Sequence, residues 1–223
     1  MITVMEFSCA IFDLDGTLLD TLQDIAYNMN RALVIKGLPP LALEAYPDLV
    51  GWGTYRLAYQ ALPPELQNEQ NAYDLASCAI QCYKENPVLY TKPYPMIPEV
   101  LAHLKQHRLL VAVLTNKPDS LAQVVLKTLF APATFDYVYG MIPDQPAKPN
   151  PKAVWNVLAH LGIEAQKSVI IGDSEIDIET AQAAGTASIA VTWGFRKRRL
   201  LEKAGADCII DTPLDLLAVM GCS

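Results

Sequence analysis

Short runs that are apolar or β-branched at nearly every position recur along the chain, each followed by a stretch whose apolar residues return every three to four positions. The runs are Ser8–Phe12, Leu109–Leu114, Val169–Ile171, Ala187–Thr192 and Cys208–Ile210. None shows the alternation of a half-exposed strand, so they predict strands buried on both faces, as in parallel sheets. The amphipathic stretches predict helices over Pro95–His107, Asp119–Leu129, Pro151–Leu161, Ile176–Ala184 and Arg196–Ala204. Strand and helix alternating in this way predict an α/β fold, a Rossmann-like parallel sheet with helices on both faces.

Residues 21–90 break the rhythm. They carry no strand-like run, only helical patterns interrupted at Gly37–Pro40, Val50–Gly53 and Leu62–Pro64. A connection of about 70 residues is too long for a loop inside a compact domain. It reads as a small α-helical cap inserted after the first strand, with the Pro-rich return at Lys92-Pro-Tyr-Pro95 as its second hinge strand. The predicted division is a discontinuous core, 1–20 and 91–223, and a cap, 21–90.

Composition narrows the function classes. With 17 basic and 24 acidic residues the formal net charge is −7, which speaks against a nucleic-acid partner, because phosphate backbones need a basic surface. A hydrophobic fraction of 52% excludes a disordered chain. No apolar run approaches the roughly 20 residues of a membrane-spanning helix, and the start MITVMEF lacks the basic opening of a signal peptide. The five cysteines include no CxxC pair, and Cys78 and Cys82 lack further ligands at zinc spacing. They read as small thiols in a reducing cytoplasm.

In open α/β sheets ligands bind at the carboxyl ends of the strands. There the chain places Asp13-Leu-Asp15-Gly16-Thr17, then Thr115-Asn116-Lys117, then Gly172-Asp173-Ser-Glu-Ile-Asp177, with Lys148-Pro149 just before the helix at Pro151. Converging carboxylates without nitrogen or sulfur ligands suit a hard cation such as Mg²⁺. A phosphoryl group would draw on the cation, the lysine and the hydroxyl together. One Asp can attack phosphorus while a second carboxyl protonates the leaving oxygen and then activates water.

These four ordered motifs resemble those of the haloacid dehalogenase-like hydrolases, specifically the phosphatases with an inserted helical cap. The resemblance spans nearly the whole chain. It implies Asp13 as nucleophile and metal ligand, and Asp15 as general acid/base that also gives the metal its backbone carbonyl. Thr115 and Lys148 would hold the phosphoryl group, with Gly16 and Asn116 assisting; Asp173 would bind Mg²⁺ directly and Asp177 from close by or through water. Because dehalogenases and phosphonate-cleaving relatives lack an acid at the position of Asp15, the resemblance implies phosphate-ester chemistry. Leu49-Val50-Gly51-Trp52-Gly53 is similar to the cap loop of phosphoglycolate phosphatases, which makes Gly51, Trp52 and Gly53 substrate-binding candidates and phosphoglycolate a candidate substrate. Where relatives often carry Gly, this chain has Met96, and its cap holds few basic residues for a carboxylate.

The implied function is a cytoplasmic, Mg²⁺-dependent phosphomonoester hydrolase acting on a small phosphate ester. Two alternatives stand beside it: a phosphosugar mutase of the β-phosphoglucomutase type, and a non-catalytic binding or regulatory module. Other features carry less. His103 and His107 lack the Glu of a zinc-protease motif and read as a solvated helix end. Arg196-Lys-Arg-Arg199 reads as a solvated face. Gly51-Trp-Gly53 lacks the third glycine and the preceding strand of a dinucleotide-binding loop.

Overall fold

The computed structural model describes residues 7–222. The reading against a signal peptide rests largely on residues 1–6, which lie outside the described residues. In chain order the elements are β1 (Cys9–Phe12), β2 (Leu19–Asp20), α1 (Leu22–Ile35), α2 (Tyr46–Leu49), α3 (Thr54–Ala61), α4 (Glu69–Glu85), β3 (Lys92–Pro93) and α5 (Ile97–Gln106). There follow β4 (Leu110–Pro118), α6 (Asp119–Leu129), β5 (Tyr137–Met141), α7 (Pro151–Leu161), β6 (Ser168–Gly172), α8 (Glu175–Ala184), β7 (Ala187–Val191), α9 (Arg198–Ala204), β8 (Cys208–Ile210) and α10 (Asp215–Val219).

Six strands form one parallel sheet in the order β5-β4-β1-β6-β7-β8. The Rossmann-like α/β class predicted from the apolar runs is the observed one. All four residues of β1 are fully buried, since helices cover both faces: α7 and α8 close one side through Val154, Val157 and Ala181, and α5 and α6 pack on the other through Val100, Leu104 and Val125. Two helices begin with their own caps. The Asn150 side chain accepts from Lys152 N–H at 3.0 Å ahead of Pro151, and Asp177 accepts from the N–H and hydroxyl of Ser174 at 3.1 and 2.6 Å. Gly162 and Gly185 end these helices in the left-handed conformation.

Of the six strands in the main sheet, one escaped the sequence pattern. β5 is an edge strand, mostly half-buried, so it lacks the uniformly apolar run that marks its neighbours. α9 starts at Arg198 rather than Arg196.

Helices α1 to α4 lie between β2 and β3, which pair antiparallel through Leu19–Pro93 and Asp20–Lys92. α1 turns Ile25, Met29, Ala32 and Leu33 inward in the i, i+4, i+7, i+8 pattern of an amphipathic helix and packs against α4. The returning chain is anchored by Asp24, which is fully buried on α1. Its carboxylate accepts from the N–H groups of Leu89, Tyr90 and Thr91 at 2.9–3.1 Å and from the Thr91 hydroxyl at 2.5 Å. All five cysteines are free; Cys9, Cys82 and Cys222 are buried. No helix among the described residues is long and apolar enough to cross a membrane.

Candidate active site

The strand order sets β4, β1 and β6 side by side, so three chain segments distant in sequence end on one edge. Asp13 follows β1, its N–H donating to Ile171 O at 2.9 Å. Asp173 follows β6, and Asp177 lies in the first turn of α8. Carboxylate oxygens of Asp13, Asp173 and Asp177 lie within 4.8 Å of one another, and all three residues are buried. Lys148 is their counterion, with Nζ 2.8 Å from Asp13 Oδ1 and 2.6 Å from Asp177 Oδ1. Asp177 Oδ2 is taken by Ser174, and Asp173 Oδ2 accepts from Phe195 N–H at 2.7 Å. Asp13 Oδ1 is buried and has no aligned hydrogen-bond donor despite its nearness to Lys148.

Three buried carboxylates against one lysine leave excess negative charge. Burial pushes the Asp13 carboxyl up to about 7, against the pull of Lys148 and with the added push of Asp177. Burial, then Asp177 and Asp13, push Asp173 up to about 8. For Lys148, burial disfavours the charge, but Asp13 and Asp177 outweigh it and hold the ammonium above the usual lysine range. An oxygen-only cluster of three buried carboxylates against one ammonium fits a hard divalent cation.

Close backbone approach shapes the cluster. A Cβ on Gly16, whose φ is +87°, or on Gly194 would run into the Asp173 side chain. The Asn116 side chain ties the flanking loops together. Its Oδ1 accepts from Lys148 N–H at 2.9 Å, and its Nδ2 donates to Lys148 O and to Gly51 O, both at 3.0 Å.

Asp15 faces a different way. Lys117 Nζ lies 3.0 Å from Asp15 Oδ1, donates to the Tyr83 hydroxyl at 3.1 Å and stands 4.4 Å from the centre of the Tyr83 ring. Burial disfavours the Lys117 charge, but Asp15 and Tyr83 hold it above the usual lysine range. Tyr83 comes from α4, so this trio joins the strand end to the inserted helices. Arg196 makes a second such join: Nε donates to Glu175 at 3.1 Å, Nη2 to Val50 O at 2.8 Å, and Nη1 to Pro47 O.

A family pattern described as haloacid dehalogenase-like hydrolase matches residues 10–191. The chain belongs to that family. A phosphoglycolate phosphatase of Aquifex aeolicus is 36% identical over 94% of this chain and 95% of its own length. An N-acetylmuramic acid 6-phosphate phosphatase of Pseudomonas aeruginosa is 31% identical over 97% and 96%. Among solved structures, that of a candidate phosphoglycolate phosphatase from Lactobacillus delbrueckii subsp. bulgaricus superposes with a TM-score of 0.89 at 32% identity, covering 97% of this chain and all of that one.

In this haloacid dehalogenase-like hydrolase, Asp13, Asp15, Thr115, Asn116 and Asp173 line one cavity with Gly51 and Gly53. Lys148 reaches it through Asp13, and Asp177 through Lys148. Gly16 backs Asp173. The Thr115 hydroxyl accepts from Lys117 N–H at 3.2 Å. Trp52 does not line the cavity; its ring lies 4.5 Å from the Arg56 guanidinium. His103 and His107 are exposed at a helix end, as read from the sequence. The basic cluster needs correction. Lys197, Arg198 and Arg199 are exposed, but Arg196 is only 6% exposed, because the carbonyls of the 47–50 turn and Glu175 meet its guanidinium. Lys117 and Tyr83 were not legible as site residues. A lysine after a strand resembles any loop lysine, and its partners are separated from it by many residues.

Proposed function

We propose that the protein is a phosphomonoester hydrolase that requires Mg²⁺ and works through an aspartyl-phosphate on Asp13. The observation that carries the reading is the pair of carboxylates two residues apart with opposite surroundings. Asp13 sits in the buried acid cluster beside Lys148, whereas Asp15 is steered away from it by Lys117. Asp13, Asp173 and, from behind, Asp177 would hold Mg²⁺ together with the Asp15 carbonyl. Bound there, the ion would offset the carboxylate charge and polarise the phosphoryl oxygens.

Asp13 attacks phosphorus, forming one O–P bond as the ester O–P bond breaks. Asp15 gives its proton to the departing alkoxide. Lys148 and Thr115 steady the phosphoryl group. A water deprotonated by Asp15 then cleaves the acyl phosphate and releases inorganic phosphate. Residues 21–90 act as a cap over the core of 1–20 and 91–223, with β2 and β3 as hinge, and its closure excludes bulk water. The named activities of the relatives support a small phosphate ester, phosphoglycolate among the candidates, and the free thiols fit a reducing cytoplasm.

The test is phosphate release from a panel of small esters with and without Mg²⁺. Metal-dependent release that falls on the order of a thousandfold or more in Asp13→Asn is expected; wild-type turnover by Asp13→Asn would overturn the assignment.

A further inference from the structure

Two hydrogen-bond donors are left over beside Asp15. Lys117, near the end of β4, and Tyr83, on α4, line the same cavity as Asp15 and are 6% and 5% exposed. An ammonium has three N–H groups, and Lys117 gives one to the Asp15 carboxylate and one to the Tyr83 hydroxyl. The third has no acceptor among the described residues. Because the phenol oxygen accepts from Lys117, its own O–H points away from the ammonium, and it too donates to nothing among the described residues. Burial holds that phenol above its usual range, so it keeps its proton. Buried donors without acceptors are costly, and an anion placed against both would remove the cost.

A carboxylate matches the pair, since its two oxygens can take the ammonium N–H and the phenol O–H together as charge-assisted bonds. The start of α3, which no side chain caps, brings Gly53 and Thr54 to the same cavity and adds a favourable dipole. Elsewhere the walls are apolar at Ile25, Met29, Leu57 and Ile80, and Arg196 is already engaged by Glu175 and the carbonyls of Pro47 and Val50.

We propose that Lys117 and Tyr83 form a carboxylate subsite, so that the enzyme selects phosphate monoesters of short hydroxy acids. This rests on the phosphatase reading, in which Asp15 stands at the ester oxygen, and it names the substrate class and the residues that select it. The subsite adjoins Asp15, so the carboxylate it takes lies close to the ester oxygen along the carbon chain. A cap with few basic residues is no obstacle: the cation comes from β4 of the core, and the cap supplies the phenol beside it.

The test compares kcat/KM for 2-phosphoglycolate and ethyl phosphate, which differ by the carboxylate, in wild type, Tyr83→Phe and Lys117→Met. A change that acts through Asp15, which serves both esters, or through the fraction of protein folded cancels in the ratio of the two constants. Wild type should prefer 2-phosphoglycolate at least about a hundredfold, and each substitution should lower that preference at least about tenfold. Tyr83→Phe keeps the ring against the ammonium and removes only the O–H. No wild-type preference for 2-phosphoglycolate, or a ratio in either variant within about twofold of wild type, overturns the proposal and leaves the phosphatase reading standing. Release from neither ester, nor from the wider panel, overturns both.

Discussion

Replacing Lys148 by Met removes the ammonium that lies 2.8 and 2.6 Å from Asp13 and Asp177 while keeping most of the side-chain bulk. Taking one partner from a buried ion pair costs about 3–5 kcal/mol when the acids left behind are ionised. The pH dependence follows from Asp13 and Asp173, whose carboxyls burial pushes up to about 7 and about 8 from 3.8. An acid with a raised folded pKa holds its proton more tightly in the native state. Its stabilising contribution is therefore complete below about pH 4 and is lost as the pH rises through 7 to 8. Lys148 is the influence that lowers Asp13, so its removal raises that carboxyl further and lets the variant relieve itself by binding a proton at low pH. The loss should reach about 3–5 kcal/mol at pH 8.5 and be smaller by about 1–2 kcal/mol at pH 6. Urea unfolding of both proteins in chelator, with m-values checked for equality, measures it. An equal loss at the two pH values, or no loss at pH 8.5, would refute the charge argument.

On the proposed reading, Mg²⁺ held by Asp13 and Asp173 displaces their protons, so its affinity should tighten at least about tenfold from pH 6 to pH 8; calorimetric titration showing a pH-independent affinity would contradict this. Asp24→Ala strips a fully buried acceptor from three N–H groups and a hydroxyl and should cost at least about 3 kcal/mol, against which a measured loss below about 1 kcal/mol would count. Gly194→Ala drives a methyl into Asp173 and Gly16 O. It should cost about 1–3 kcal/mol and shrink the rise in Tm on adding Mg²⁺, an effect that an undiminished rise would disprove.

Much of this protein is written locally along the chain. Strands buried on both faces must be apolar throughout, so β1, β4, β6 and β7 stand out from their surroundings; the edge strand β8, two of whose three residues are half-buried, stands out by its apolar Cys208–Ile210 run alone, and α6 and α7 fall on the predicted Asp119–Leu129 and Pro151–Leu161. Parallel strands point their carboxyl ends to one edge. The residues just after β1 and β6 and in the carboxyl-terminal half of β4 therefore had to meet once those strands were neighbours, and Asp13, Asp173 and Thr115 do. Half-buried β5 lay beyond this logic because an edge strand needs no continuous apolar run.

What only the tertiary structure decided lies where the inserted helices meet the core. Lys117 gains meaning from Tyr83, and Arg196 from the carbonyls of Pro47 and Val50. Each is polar and reads, on its own segment, as a solvated position. Whether such a side chain is solvated or buried against a partner depends on how two bodies of the fold pack across many residues, and residue type and spacing within one segment do not encode that.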